Sequence, residues 1–383
     1  MDGKPNSKQI LRVFILAGEA SGDAYGGQLV DALKKQNPSI EIRAWGGNEM
    51  ESAGAVILRH YESLAFMGIW EVMRNLTSIR KLFKECKAVL KEWKPNVFIG
   101  IDYPGFNLRM ARFAHDSGLV THHFISPSVW AWKKNRIKSI ARDIDHLHVI
   151  LPFEERWYAK EGMKVHWVGH PLLEILAQAD SKSVRQATFN PRPDQPILLL
   201  MPGSRIQELR KMLPVFVEAV DRLPQFQPVI AGAPGLSLPA YSLAVSKGIP
   251  VVFDQSKELM QLAQVGLVTS GTASLEAALI GLPQIIAYRT SSMTYQMAKV
   301  LVKSKWIGLP NILLEKSAVP ELIQSQCTST NLVHQVLKLH DGKVLTSAGQ
   351  LQQEETRRLH KMLQGPSAPS ELVAKSVLQS ARS

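Results

Sequence analysis

The chain has 383 residues, 45% of them hydrophobic and 20% charged, which suits a folded protein of two ordinary domains with a sizeable core. Its two cysteines, Cys86 and Cys327, are isolated, and this argues against a disulfide scaffold or a structural zinc site. The formal net charge of +12 predicts an acidic partner, which charge alone leaves open as nucleic acid, anionic lipid or a phosphorylated substrate. No signal peptide is visible and no stretch approaches the ~18 apolar residues of a membrane span, so we expect a soluble or peripheral protein.

The predicted elements follow a strand–helix rhythm that starts twice. In the first half, short apolar runs predict parallel strands buried on both faces, with helices between them at residues 26–36 and 107–116. These strands are expected at residues 13–17, 97–101, 119–125 and 147–151. The second set is expected at residues 197–201, 228–231, 251–253 and 265–269. The repeated pattern predicts an α/β protein with two Rossmann-like domains facing each other across a cleft.

The domain boundaries are predicted from composition. Residues 179–196 are polar and contain three prolines, and we place the boundary just before them, at Gly169. The prediction is a first domain at residues 1–169, a second at 170–345, and terminal helices at 346–383 that pack back onto the first domain.

Two loops of the first domain follow predicted strands. In residues 17–23, glycines would let the backbone approach a ligand, with Glu19, Ser21 and Gly22 as candidate contacts. The alternative is a plain strand-to-helix turn. Asp102 ends a strand that should be buried, so its carboxylate is costly unless it is used, and it could accept a proton from a sugar hydroxyl. The alternative is that Asp102 caps the helix that starts near Pro104.

Two loops of the second domain suit phosphate. Gly203 and Ser204 would let the backbone approach a phosphate closely, and the Arg205 guanidinium can form a bidentate hydrogen bond with it. Ser270, Gly271 and Thr272 open a helix whose amides would face an anion. Together the two loops predict a nucleotide diphosphate site.

Three further side chains are candidates in this second domain. Glu276 would bind ribose hydroxyls, or act as a capping-box acid. Asn311 and Gln324 suit sugar hydroxyls or a uracil-like edge, although each is also typical of a turn.

Patterns for metal sites and nucleophiles are weak. The HExxH pattern does not occur, and the 11 histidines are scattered. We therefore expect no metal and no separate cofactor, with arginine and helix dipoles stabilising a leaving diphosphate.

An apolar segment beside a basic helix predicts membrane contact. Residues 64–76 carry more apolar side chains than one packing face needs, and those expected at lipid or acyl chains are Phe66, Met67, Ile69, Trp70 and Met73. The helix predicted at residues 78–94 gathers basic side chains opposite its apolar arc, including Lys84, Lys87 and Lys91. The alternatives are a helix buried on several sides and an ordinary solvated face.

Taken together, several segments resemble the lipid-A-disaccharide synthase family. They are the runs at residues 18–23, 101–107, 126–132, 151–154, 168–170, 202–205, 269–273 and 308–311. The match runs in order from Val13 to about Gln324, and the runs at 18–23 and 126–132 are the specific ones. Where the family motif often has an acidic residue after Asp-x-Pro, this chain has Gly105.

The resemblance implies a GT-B fold and an inverting transfer without a metal. The donor would be UDP-2,3-diacylglucosamine and the acceptor 2,3-diacylglucosamine 1-phosphate, giving a β-1,6-linked disaccharide phosphate and UDP. It puts Asp102 at the candidate base position, and Arg205, Glu276, Asn311 and Gln324 in nucleotide or substrate motifs. It further implies a cytoplasmic protein, peripheral on the inner face of the inner membrane at an anionic lipid surface, and leaves a homodimer open.

Two other functions remain open from sequence. A soluble UDP-sugar epimerase of the same fold would not need the apolar surface of residues 64–76. A nucleic-acid-binding protein is suggested by the charge alone, and Trp130 and Trp132 are its only candidate stacking platforms. We therefore expect no nucleic-acid partner.

Overall fold

A computed structural model describes residues 10–64, 76–130, 136–178, 192, 194–291 and 305–381. The chain divides into two compact units. Unit 1 is Met1–Ile175 with Leu363–Ser383, and unit 2 is Leu176–Met362.

Within the described residues, unit 1 is built on a seven-stranded parallel sheet of order β3-β2-β1-β4-β5-β6-β7. Its strands are β1 Arg12–Ala17, β2 Glu41–Gly46, β3 Val56–His60, β4 Val97–Ile101, β5 Val120–Phe124, β6 His146–Val149 and β7 His166–Trp167. The centre of the sheet, β1 and β4, is buried almost throughout because helices cover both faces, which explains the continuous apolar runs. The helices of this unit are Ala20–Gln36, Asn48–Ser52, Leu76–Trp93, Pro104–Asp116, Ile137–Asp143, Glu154–Lys160 and Pro171–Gln178, together with the terminal Pro369–Ser380.

The described part of unit 2 holds a six-stranded parallel sheet of order β10-β9-β8-β11-β12-β13. Its strands are β8 Ile197–Met201, β9 Gln227–Gly232, β10 Val251–Phe253, β11 Val265–Thr269, β12 Gln284–Tyr288 and β13 Glu321–Ile323. The helices are Ile206–Val220, Ser242–Ser246, Ser256–Leu262, Thr272–Ile280, Leu309–Leu314, Ser329–Leu339 and Ser347–Leu363. One apolar core lies under the helices Ile206–Val220 and Ser329–Leu339, and a second lies on the other face of the sheet.

The eight strands predicted from sequence are present. Four have the predicted bounds, and the other four differ by one or two residues at an end. Five further strands were not predicted: β2, β3, β7, β12 and β13. In β2 and β3 the apolar runs are interrupted by Arg43 and Arg59, and β7 and β13 have only two and three residues.

The terminal helices divide between the units, which corrects the prediction that both return to the first domain. The helix Ser347–Leu363 belongs mainly to unit 2, where Gln352 forms two hydrogen bonds with the backbone of Gln284, at 2.6 and 3.1 Å. Only Pro369–Ser380 packs on unit 1, against the helix Ala20–Gln36. There the backbone N–H of Ser370 donates to Glu174 at 3.1 Å.

The division between the units also falls later than predicted, after Ile175 instead of Gly169. The reason is that the start of the helix Pro171–Gln178 is tied to the returning chain. The His170 N–H donates to the Leu363 carbonyl at 3.0 Å. A Cβ on Gly169 would overlap the backbone of Gly365, and a Cβ on Gly365 would overlap the Val168 carbonyl.

Candidate active site

The two predicted loops of unit 1 lie side by side. β1 and β4 are paired with Ala17 opposite Ile101, so the residues that follow, Gly18 and Asp102, leave the same edge of the sheet. Gly18 has no room for a side chain, since a Cβ there would lie 2.4 Å from the ring of Tyr103. The Tyr103 hydroxyl in turn donates to the Leu64 carbonyl at 2.8 Å. The carboxyl ends of β1 and β4 thus form one compact edge, where ligands bind in open α/β sheets.

Asp102 has a backbone that few residues adopt. Its φ is +45°, and that of Tyr103 is also +45°, in the left-handed region that costs non-glycine residues energy. Asn107 holds this kink, because its buried side-chain amide donates to the carbonyls of Asp102 at 2.7 Å and Ile101 at 3.1 Å. The helix Pro104–Asp116 has Tyr103 at its N-cap and no side-chain cap, so the structure does not place Asp102 at the capping position. Backbone strain held in this way is typical of functional sites.

The Asp102 carboxyl lies in a poorly hydrated place. Burial raises its pKa to about 6, against the opposing effect of a hydrogen bond from the Tyr103 backbone. A carboxylate with such a pKa is ionised at neutral pH and is a stronger base than an ordinary aspartate. The geometry and the pKa both suit a general base.

Glu19, Ser21 and Gly22 lie at the start of the helix Ala20–Gln36, at the sheet edge that Asp102 shares. Glu19 is the N-cap residue, and its charge helps to raise the pKa of the Tyr103 phenol, after burial. Ser21 is partly exposed. Gly22 has a packing role, since a Cβ there would lie 3.1 Å from the Ala17 Cβ.

Asp23, in the same motif, serves the fold. It is 2% exposed, and its carboxylate accepts from the N–H groups of Gly47 at 2.7 Å and Glu49 at 3.0 Å. It therefore caps the short helix Asn48–Ser52 from a distance in sequence, and this role was not visible in the motif.

In unit 2, the loop after β8 is organised by Glu208. Gly203 has a φ of +119°, and a Cβ there would lie 2.6 Å from the Cβ of Glu208, so both conformation and space require glycine. The Glu208 carboxylate accepts from the Ser204 N–H at 3.1 Å and lies 3.8 Å from the guanidinium of Arg205. Arg205, the N-cap residue of the helix Ile206–Val220, has a side chain that is 53% exposed. Its cation is thus positioned at the open edge of the sheet.

The loop after β11 presents a helix N-terminus. Gly271, the N-cap residue of the helix Thr272–Ile280, has a φ of +156° and open space around it. The Ser270 hydroxyl donates to the Ile307 carbonyl at 3.0 Å, and Thr272 is exposed. β8 and β11 are neighbours in the sheet, so this helix and the Arg205 loop open at the same edge. The arrangement suits an anion such as a diphosphate.

Glu276 lies in the second turn of this helix, five residues after the N-cap. A capping-box acid would be three residues after it, so the capping alternative is not supported. Burial raises the pKa of Glu276, Lys257 opposes this, and Glu258 adds to it.

The structure gives Asn311 a structural role. It is fully buried, its Nδ2 donates to the Val319 carbonyl at 2.7 Å and to Glu321 at 2.8 Å, and its Oδ1 accepts from the Val319 N–H at 2.8 Å. These bonds occupy the amide, which leaves it little capacity for a ligand. Glu321 also accepts from the N–H groups of Ile307 and Gly308, both at 3.0 Å, and so fixes the segment beside Ser270.

Gln324 lies at the carboxyl end of β13, with a φ of +52°. Its side-chain oxygen accepts from the Thr290 N–H at 3.0 Å, which joins the loops after β12 and β13. Tyr288, at the end of β12, was not predicted. Burial raises the pKa of its phenol, Glu208 adds to this and Arg205 opposes it, so Tyr288 belongs to the electrostatic surroundings of Arg205.

The basic helix of unit 1 spans Leu76–Trp93. Its apolar side chains enter the core, with Leu82, Cys86, Leu90 and Trp93 buried. Lys84, Lys87 and Lys91 are exposed, as are Arg80, Lys81 and Lys94. The Lys87 ammonium lies 4.9 Å from the centre of the Phe113 ring. One face of this helix is therefore cationic and open.

The predicted lipid-contacting residues Phe66, Met67, Ile69, Trp70 and Met73 lie outside the described residues. Among the helices that the structure describes, none combines the length and the apolar character needed to cross a bilayer.

Comparison with known proteins shows the family. The family model described as lipid-A-disaccharide synthetase matches residues 13–374. The lipid-A-disaccharide synthase of Alcanivorax borkumensis is 38% identical over 362 residues, covering 92% of this chain and 94% of that protein. The enzyme of the same name from Pseudomonas fluorescens is 35% identical over 373 residues, covering 96% of this chain and 99% of that protein.

Solved structures show the fold. The UDP-GlcNAc 2-epimerase of Methanocaldococcus jannaschii, in complex with UDP-GlcNAc and UDP, has a TM-score of 0.66 at 15% identity, with 96% of this chain and all of that chain covered. The calicheamicin glycosyltransferase CalG4 has a TM-score of 0.59 at 15% identity, with 97% and 98% covered. The two Rossmann-like units are those of the GT-B glycosyltransferases and epimerases, and with its family match over residues 13–374 the chain belongs to the lipid-A-disaccharide synthase family.

Proposed function

We propose that the chain transfers 2,3-diacylglucosamine from its UDP derivative to 2,3-diacylglucosamine 1-phosphate, forming the β-1,6-linked disaccharide 1-phosphate of lipid A with release of UDP. The observation that carries the proposal is the family match, because residues 13–374 include both the Asp102 loop and the Arg205 loop. The geometry agrees with the chemistry, since unit 1 offers a base and unit 2 offers two donors for an anion.

Each group has a defined role in this proposal. Asp102 takes the proton from the acceptor hydroxyl as that oxygen attacks the anomeric carbon from the face opposite UDP, which inverts its configuration. The N–H groups at the start of the helix Thr272–Ile280 and the Arg205 guanidinium stabilise the negative charge that develops on the departing diphosphate. Glu276 and Gln324 contact the nucleotide or donor sugar, and Glu19 and Ser21 contact the substrate beside Asp102. No cofactor other than the UDP of the donor is part of this scheme.

The acylated substrates require a lipid surface, and the cationic face of the helix Leu76–Trp93 suits an anionic one. Each exposed lysine near an anionic surface contributes ~1 kcal/mol to binding, so Lys84, Lys87 and Lys91 together contribute about 3 kcal/mol. We therefore place the protein at the inner face of the inner membrane, and the lipid contact predicted for residues 64–76 remains part of this proposal. Dimer formation is left open in this proposal.

Replacing Lys84, Lys87 and Lys91 with Gln should weaken binding to anionic vesicles at least tenfold, because about 3 kcal/mol of attraction is removed before screening. Binding to neutral vesicles should not change, and added salt should reproduce the loss. Vesicle sedimentation measures both. A matched control replaces Lys338, Lys343 and Lys361 of unit 2, which are equally exposed. An equal loss from the control set would show that net charge alone governs binding, and no loss from either would contradict the surface model.

The second candidate function is a UDP-GlcNAc 2-epimerase, which the structural neighbours favour at the level of the fold. Such an enzyme would convert UDP-GlcNAc without an acceptor. Incubation with UDP-GlcNAc alone, followed by NMR of the sugar, separates the two functions. We expect no epimer, and its steady formation would support the epimerase instead.

A further inference from the structure

The loop that follows β5 bends beside Asp102. β4 and β5 are paired with Ile101 opposite Phe124, and the Asp102 N–H donates to the Phe124 carbonyl at 2.9 Å. The next residue, Ile125, has a φ of +71°. Paired strands lie about 4.8 Å apart, so two left-handed residues stand next to each other at this edge. Ile125 is β-branched, and such a residue adopts this conformation only where its surroundings enforce it.

The segment of residues 125–130 is fixed by the helix Glu154–Lys160. The Ser126 and Tyr158 hydroxyls are 2.6 Å apart, and both side chains are buried. The Trp130 ring packs edge-on against Phe153 with centroids 5.0 Å apart. The Ile125 N–H donates to the His148 carbonyl at 3.1 Å, which completes the attachment of this segment.

Glu154 anchors the helix itself. It is 1% exposed, and its carboxylate accepts from the N–H groups of Leu151 at 2.9 Å and Ile150 at 3.2 Å. The helix Glu154–Lys160 is therefore joined to the end of β6 at its start and to the end of β5 through Tyr158. The sequence run at 126–132 was specific, but the function described above gives it no role.

We propose that Tyr158 is a positioning residue: through Ser126 it holds the segment 125–130 against Asp102, which fixes the carboxylate and keeps water from it. The inference rests on the proposed role of Asp102 as the base. On this inference, residues 126–130 shield the acceptor site from water.

Shielding by residues 126–130 has a measurable consequence for the pKa of Asp102. Burial is the first cause of the raised pKa of this carboxyl, so admitting water should return the pKa toward the ordinary value of ~3.9. The other titratable or charged groups on the elements around it include Glu19, Asp23, Tyr103, Arg109, His122, His123, His148, Glu154 and Tyr158. Burial raises the pKa of Asp102, and none of these neighbouring charges contributes to the shift. The pH at which activity is lost on the acid side therefore reports how well the Asp102 carboxyl is hydrated.

The test is the pH dependence of kcat in Tyr158→Phe and Ser126→Ala. Both remove the hydrogen bond between the two hydroxyls, and Ser126→Ala also removes the bond that the Ser126 hydroxyl donates to the Pro127 carbonyl at 3.1 Å. For both, we expect kcat to fall about 10- to 100-fold at pH 8, because a small displacement of the base is costly. We also expect the acid limb, near pH 6 in the unchanged protein, to move down by at least about one pH unit. The double variant should be no worse than Ser126→Ala alone, since the hydrogen bond to Tyr158 is already lost in that variant. UDP affinity should not change.

The matched control is Tyr241→Phe in unit 2. Tyr241 is also fully buried, and its hydroxyl accepts from the Ala233 N–H at 2.8 Å, so the change costs a comparable hydrogen bond. The acid limb of the kcat profile of Tyr241→Phe should stay near pH 6. If Tyr158→Phe does not fold, Ser126→Ala, which leaves the Tyr158 side chain in place, decides the question. An acid limb that stays near pH 6 in the folded variants overturns the inference. The failure of the base assignment itself would show separately, as an active Asp102→Asn enzyme.

Discussion

Replacing Asp102 with Asn should lower kcat by ~10²–10⁴-fold, the range expected when a general base is removed while its shape is kept. The structure supports this expectation in two ways. Asn107 holds the Asp102 backbone in a left-handed conformation. This conformation costs free energy in a non-glycine residue, and such strain is concentrated at functional sites. Burial also raises the pKa of the carboxyl to about 6. The unchanged protein should accordingly lose activity as the pH falls through about 6.

Steady-state kinetics with both acylated substrates measure this effect. Circular dichroism and UDP titration of the variant serve as controls for the fold and for the other unit. Activity within threefold of the unchanged protein would show that Asp102 is not the base.

The same variant should be more stable at pH 8, because a carboxyl with a raised pKa opposes folding once it is ionised. Below pH ~4 the carboxyl is protonated in both states and carries no penalty. As the pH rises through about 6, the folded state loses up to about 3 kcal/mol relative to a chain whose pKa is ~3.9. Asn carries no charge, so its advantage should be clear at pH 8 and nearly absent at pH 4. Urea unfolding at the two pH values measures this. A variant that is less stable at pH 8 would indicate a structural role for the carboxylate.

Replacing Arg205 with Ala should weaken UDP binding by ~1.5–3 kcal/mol, since a charge-assisted hydrogen bond to the diphosphate is lost. The side chain is more than half exposed, and its guanidinium lies at the sheet edge where the helix Thr272–Ile280 begins, which suits contact with an anion. Titration calorimetry with UDP measures the loss. Added salt should reduce the difference between the two proteins.

Arg210→Ala is the matched control, because Arg210 is exposed one turn further along the same helix. Its UDP affinity should stay within about twofold, as expected for a surface charge. Equal losses from both variants would indicate a general effect of charge, and an unchanged affinity in Arg205→Ala would remove Arg205 from the diphosphate site.

The strands with continuous apolar runs were predictable because both faces of each sheet are covered. The positions of Asp102 and Arg205 at strand ends followed from the same reasoning, since parallel strands all end at one edge. Both terminal helices were predicted to return to the first domain, but only Pro369–Ser380 packs on unit 1. A pattern of helices at residues 347–380 does not reveal that Gln352 binds Gln284 while Ser370 binds Glu174.

Roles that depend on distant partners were missed for the same reason. Asp23 and Asn311 stand in motifs that suit ligands, but each is occupied by backbone groups that only the fold brings near. Asn107, Glu208 and Tyr158 had no predicted role, although Asn107 lies in the run at residues 101–107. Each lies in a helix, and its partners could not be identified from spacing in the sequence.

The most direct test of the proposed transfer is a reaction with purified protein, UDP-2,3-diacylglucosamine and 2,3-diacylglucosamine 1-phosphate in mixed micelles. UDP release and the lipid product are followed together. We expect one UDP for each disaccharide 1-phosphate formed, a β-configured new linkage, and almost no UDP when the acceptor is left out. UDP release at the same rate without acceptor, or no disaccharide from the complete mixture, would contradict the proposed transfer.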